Sequence, residues 1–249
     1  MRSTRGNVLF LILIAIGLFA ALSYAMTQPG RGGASIDQER ASLLAGEIFR
    51  ELAAMDQAVK RLQLIKKCSD TEISFAYDSD GDGDIDSNDD YYNPNAPTDF
   101  KCHMFHEDGG GLDWPKVPPL ALDDAHSAET TYGQYFFVDL MRAKGIGTDC
   151  DNLACTDLLV NVAFLKQNVA TELNRKLGIA PAEPQDDQAC NLTYIESAKF
   201  KGSYSSGCGA TSTYGDDNPS VAGRRTACVY RFDFGGRENY ECHHALIAR

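Results

Sequence analysis

The sequence predicts an α+β protein: an N-terminal transmembrane helix, an amphipathic helix packed on a small antiparallel sheet, and a disulfide-braced, loop-rich ectodomain. Three observations predict it. No charged residue lies between Arg5 and Arg31, and Val8 to Met26 is almost wholly apolar. Leu44, Ile48, Leu52, Met55, Val59 and Leu62 recur every three or four residues, the period of one helix face. Near the end, "TACVYRFDF" and "NYECHHALI" flank Gly235-Gly236, two strand-like runs about a turn dipeptide.

The apolar run comes first. As a helix, Val8–Met26 would rise about 28 Å, close to the thickness of a hydrocarbon core. Arg2 and Arg5 precede it, which leaves the N-terminus in the cytoplasm and the body outside. Pro29-Gly30-Arg31-Gly32-Gly33 then breaks the helix. Ser35-Ile36-Asp37-Gln38 reads as a capping box for a second helix, expected over 36–66, with Lys66-Lys67 favoured at its C-terminus. The chain thus divides into a basic leader (1–6), an apolar helix (7–28), a flexible break (29–35) and an extracytoplasmic domain (36–249).

Within that domain, alternation of Ile73, Phe75 and Tyr77 predicts a short strand. Five prolines, Gly109-Gly110-Gly111 and the only tryptophan, Trp114, mark 91–125 as irregular chain. Tyr132–Arg142 fits either helix or strand. Leu158–Leu177 is read as a helix capped by Thr156 or Asp157 and stopped by Gly178, with Pro181 beyond. Asn191-Leu192-Thr193 is a sequon that matters only if the host glycosylates it.

The eight cysteines are scattered, and none precedes Cys68. That pattern predicts a disulfide framework in an oxidising compartment rather than a zinc site. Cys102-His103 with His106, and Cys242-His243-His244, lack zinc-finger spacing. Cys228 and Cys242 are equidistant from Gly235, so a cross-strand bridge follows if the register holds. Cys68 with Cys102 would tie the ends of the acidic segment. Cys150 with Cys155 would close a small loop, leaving Cys190 with Cys208.

The net charge is −12, and seven of those charges lie in "DSDGDGDIDSNDD", Asp78 to Asp90. Carboxylates so crowded require a cation. Alternate acidic positions with glycine sixth suit calcium, which takes six to eight oxygen ligands in flexible geometry. Asp78, Asp80 and Asp82 would face inward, and Gly83 would allow the sharp bend. Asp84 would offer its carbonyl, and Asp86 would bind directly or through water. Ile85 would tuck into the core, and Asp89 would close the shell at position twelve. The run resembles the calcium loops of EF-hands, dockerins and thrombospondin type 3 repeats. The aspartate at position twelve is closer to the latter two, and the flanks argue against a helix-loop-helix pair. A solvated acidic loop would explain the charge but not the alternation.

The join Arg5-Gly6-Asn7 resembles a type IV prepilin or pseudopilin, in which a peptidase cuts after the glycine. The resemblance covers about the first 65 residues. It implies that 7–28 anchors the subunit in the bacterial inner membrane and packs against other pilin-like subunits in a surface filament. It also implies a C-terminal disulfide, which Cys228–Cys242 would supply. Asn7 replaces the usual aromatic residue and Leu11 the usual glutamate, which implies a minor subunit of a pilus or secretion apparatus. Two other readings of the N-terminus stand beside it: a signal peptide cut after Ala25, or a plain uncleaved anchor. They imply a secreted or membrane-anchored calcium-binding adhesion or scaffold protein, with its body in the periplasm or extracellular.

Nucleic acid is excluded as a partner, because there is no basic stripe and acidic charge repels phosphate. No GxSxG, HExxH or phosphate loop is present, so the sequence predicts neither an enzyme nor a small-molecule substrate. Were there catalysis, His103, His106, His243 and His244 would be the residues to inspect.

Overall fold

The computed structural model describes residues 5–26, 32–147, 156–180, 183–186, 198–204, 213–216, 218–232 and 238–249. Two helices lead the chain, α1 (Arg5–Met26) and α2 (Gly32–Leu64). Contacts divide it into two units, Met1–Arg40 and Ala41–Arg249.

The described side chains of α1, at 10, 12–20 and 23, are all exposed. Among the described residues no helix is long and apolar enough to cross a membrane; the nine consecutive described positions 12–20 fall short of the roughly 20 that a bilayer requires. The expected break is shorter than read from sequence. Positions 32–35 are helical, Ser35 lies inside α2 rather than capping it, and the rest of the break lies outside the described residues. Helix α2 ends at Leu64 rather than 66. Its end is closed by bonds from Ile65 and Cys68 N–H to the carbonyls of Arg61 and Leu62, with Lys67 left-handed at φ 61°.

In the second unit, α2 buries five of the six residues that its period marked, Ile48, Leu52, Met55, Val59 and Leu62, while Leu44 is half-buried and Ala41 and Ala45 extend the buried face. These join one core cluster with Tyr135, Phe137, Val160, Val162, Cys228, Cys242 and Leu246 of the sheet. Burying each large aliphatic side chain contributes about 1.5–3 kcal/mol.

The sheet corrects the sequence reading most. Leu158–Leu177 is not one helix. It is a strand, Leu158–Leu165, followed by a short helix, Gln167–Lys176. Numbering strands in chain order, β1 is Tyr135–Val138, β2 Arg142–Ala143, β3 Leu158–Leu165, β4 Thr213–Tyr214, β5 Thr226–Phe232 and β6 Glu238–Ile247; the short helix is α3. The main sheet has the antiparallel order β1-β3-β6-β5, and β2 pairs with β4 in parallel. Strand β3 is interior and buried at every position. A strand covered on both faces loses its polar–apolar alternation and reads as a continuous apolar run. Asp157, expected as a helix cap, accepts instead from the N–H groups of Ala143 and Arg249. Gly178 does end α3, at φ 68°.

A bulge interrupts β3, where Val162 faces Cys242 but Leu165 faces Tyr240. Phe164 sits in the bulge at φ 59°. The ambiguous 132–142 segment resolves into β1 and β2. The strand expected at 73–77 is reduced to a single bridge, Ser74 to His103.

The C-terminal hairpin forms as its symmetry predicts. Cys228 stands opposite Cys242, and the two are bonded. Cys68 is bonded to Cys102. Both cysteines of the zinc alternatives are thereby consumed. Cys150, Cys155, Cys190 and Cys208 lie outside the described residues, as do Pro181 and the sequon.

Candidate metal centre

The acidic loop stands on a rigid foot. Cys68–Cys102 closes it covalently, and Ser74 exchanges backbone bonds with Cys102 and Met104. Beyond the loop, the buried Asn93 amide donates to the carbonyls of Thr71 and Ile73, clamping its exit to its approach. Ile73 and Phe75 are fully buried. Tyr77, one residue before the first aspartate, stacks on Trp114 with centroids 3.7 Å apart.

Above this foot the chain turns on its own carboxylates. Asp78 accepts from the N–H of Gly81 at 2.7 Å and of Gly83 at 3.1 Å. Asp80 accepts from Asp82 N–H, and Asp82 from Asp84 N–H. Gly81 and Gly83 have φ of 79° and 96°, so the sixth position does require the left-handed freedom of glycine. Such turns are local side-chain-to-backbone bonds of the kind aspartate favours.

Asp78, Asp80 and Asp82 come together as the loop pattern predicts: each offers a carboxylate oxygen, and the three oxygens lie within 4.8 Å of one another. Two oxygens ligating one calcium ion at about 2.4 Å can be no more than roughly 4.8 Å apart. The spacing and the hard donors therefore fit a divalent cation. All three residues are exposed, and among the described residues no lysine or arginine pairs with them. Lys199 pairs with Asp90, at the end of the acidic run.

The other expected ligands stand outside this group. Asp86 accepts from the N–H and the side-chain amide of Asn88. Asp89 is buried, and it accepts from Ser79 N–H, Ser79 hydroxyl and Asp86 N–H. It staples the two ends of the loop. Asp84 is exposed, and Ile85 is half-buried rather than in the core.

Electrostatics separate these roles. Burial acts to raise the Asp89 carboxyl, but the bonds from Ser79 and Asp86 more than offset it and hold its pKa below the ordinary value. For Asp80 the bond from Asp82 N–H lowers the pKa. Desolvation and the charges of Asp82, Asp89 and Asp78 outweigh it and raise the carboxyl. Repulsion is thus concentrated where the three oxygens converge.

Sequence reasoning missed a second polar cluster. Asp56 of α2, the start of β5 and His244 of β6 meet at a cavity of 390 Å³. Asp56 accepts from Lys60 at 2.5 Å and from Arg225 at 3.0 Å, and lies 3.8 Å from His244 Nε2. The facing His244, against the effect of burial, and then Lys60 and Arg225 hold the Asp56 carboxyl well below the usual range. Arg225 and Asp56 are 169 residues apart, so only the adjacent histidines hinted at it.

This chain matches no family model, no curated protein and no solved structure.

Proposed function

We propose that the chain is a minor pilin or pseudopilin-like, membrane-anchored subunit of a filament or secretion apparatus. In this reading the acidic loop is a structural calcium site on its exposed body. The carrying observation is the surface of α1. Its described large apolar side chains, Phe10, Ile12, Leu13, Ile14, Ile16, Leu18 and Phe19, are exposed, and water is a poor solvent for them. Lipid before assembly, and neighbouring helices afterwards, would cover residues 7–28. Helix α2, packed on an antiparallel sheet whose last hairpin carries a disulfide, suits the body of such a subunit. The oxidised cysteines suit a compartment outside the cytoplasm.

For the loop, calcium is favoured over magnesium. Three exposed carboxylates on a flexible turn do not impose the strict octahedral geometry that magnesium demands. Asp84 carbonyl, Asp86 and the remaining acceptor capacity of Asp89 would complete the shell.

Intact-mass measurement of the chain from its native host tests the anchor. A mature N-terminus at Asn7 supports the filament reading. An uncut Met1 supports the anchored calcium-binding module instead, and Met26 a secreted protein. Thermal melts of the same material test the metal: a melting temperature indifferent to millimolar calcium overturns the calcium site.

A further inference from the structure

We propose that the cavity bounded by α2, the C-terminal turn of α3 and the start of β5 binds a free carboxylate attached to an apolar body. Its volume, 390 Å³, lies within the roughly 300–1,000 Å³ of small-ligand pockets. One wall is apolar: Phe49, Leu52, Ala53 and Leu177. Phe49 is 44% exposed and lines the cavity. The opposite end is polar: Arg224, Arg225, Thr226, His244 and Asp56.

The polar end carries an unused donor. The His244 side chain is nine-tenths buried, and its Nδ1 lies 2.6 Å from the Thr226 hydroxyl. Its Nε2 has no hydrogen-bond partner, because Asp56 at 3.8 Å is too distant for one. With the threonine hydroxyl donating to Nδ1, the ring proton resides on Nε2, the tautomer that the nearby carboxylate favours. A buried N–H without an acceptor is unfavourable, and an acceptor in the cavity relieves it.

Charge selects the acceptor. Asp56 is already met by Lys60 and Arg225, and Arg224 adds a further cation, whose guanidinium donates to the Leu177 and Gly178 carbonyls. Among the lining residues Arg224 and Arg225 outnumber Asp56, so the cavity carries a surplus of positive charge in a chain of net charge −12. A carboxylate offers two acceptor oxygens to a histidine N–H and a guanidinium. An amine would meet like charge, and an alcohol would forgo the charge-assisted bonds.

The test is calorimetric titration of the full chain in lipid nanodiscs, with empty nanodiscs as the blank. The probes are 3-phenylpropanoate, 3-phenylpropanol and 2-phenylethylamine. A second arm uses N-acetyl-Gly-Gly-Phe with a free carboxyl and the same peptide as its amide. We expect saturable binding of the carboxylate, with the alcohol about tenfold weaker or worse and no binding of the amine. Tighter binding of the free peptide than of phenylpropanoate identifies a peptide C-terminus as the source; the reverse identifies a small organic acid. Arg225→Gln should weaken the carboxylate about tenfold and narrow its advantage over the alcohol. Phe49→Ala, at an exposed position where the fold is not at stake, should weaken both probes alike. Equal binding of carboxylate and alcohol, absence of carboxylate binding, or a Phe49→Ala protein that binds as the parent does would overturn the proposal.

Discussion

The molecule gathers carboxylate charge in two places and treats it in opposite ways. Asp56 sits at a cavity among its own counter-ions, with Lys60 and Arg225 both within 3.0 Å. Asp78, Asp80 and Asp82 converge in the open, with no lysine or arginine paired to them among the described residues. The first site is neutralised by the fold, and its carboxyl is held low. The second is restrained only by its backbone, and its central carboxyl is raised. One carboxylate is matched by counter-ions of the fold, while the other three share a space that a divalent cation would fit.

The largest effect should come from loosening the foot of the loop. Replacing Cys68 and Cys102 together by serine should lower stability by about 4 kcal/mol from the chain entropy of the long loop they close. It should also remove most of the calcium response; a double variant that melts as the parent does, with and without calcium, would deny the foot its role.

Next is the cation itself. At a hundredfold excess over its Kd, calcium should stabilise the parent by about 2.7 kcal/mol. In Asp80→Ala/Asp82→Ala that gain should vanish, while the apo melting temperature should hold steady or rise as repulsion is relieved. An apo protein destabilised by these changes would mean that the loop carboxylates are satisfied as Asp56 is.

Asp56→Asn should show the reverse, a loss of about 1–2 kcal/mol without any dependence on calcium. Its pH dependence follows from the lowered pKa. The folded value lies below the unfolded 3.8, so the stabilisation is complete above that value and is lost as pH falls through the folded one. Difference melts of parent against Asp56→Asn should therefore be widest near neutrality and close in strong acid. The buried His103 and His243, lowered by burial to about 4 and about 3, destabilise both proteins equally as pH drops below their unfolded value. They cancel in the difference. In the apo loop the sign inverts, because the raised carboxyl of Asp80 gains stability as it protonates.

The smallest effect is a control that touches neither site. Lys67 is left-handed at the end of α2, and Lys67→Gly should raise stability by about 1 kcal/mol, equally with and without calcium.

What the sequence disclosed follows the same division. Local patterns survived folding: the stripe of α2, the glycine at position 83, and the equal spacing that places Cys228 opposite Cys242. Where context decides, the sequence misled. The apolar run of β3 lacks alternation because chain covers both of its faces, so its valines and leucines fit a helix equally well. Asp89 reads as a ligand, and local spacing does not disclose that Ser79 and the Asp86 N–H also bond it and hold the loop closed. The cavity at His244 was invisible because three remote segments build it.

Trp114 is the only tryptophan in the chain, and it lies against Tyr77, the residue that leads into the first aspartate. The protein therefore has a single indole, one stacked ring away from its acidic turn. Emission excited at the indole band reports on that ring without a label, which makes the state of the loop readable by light in the unmodified molecule.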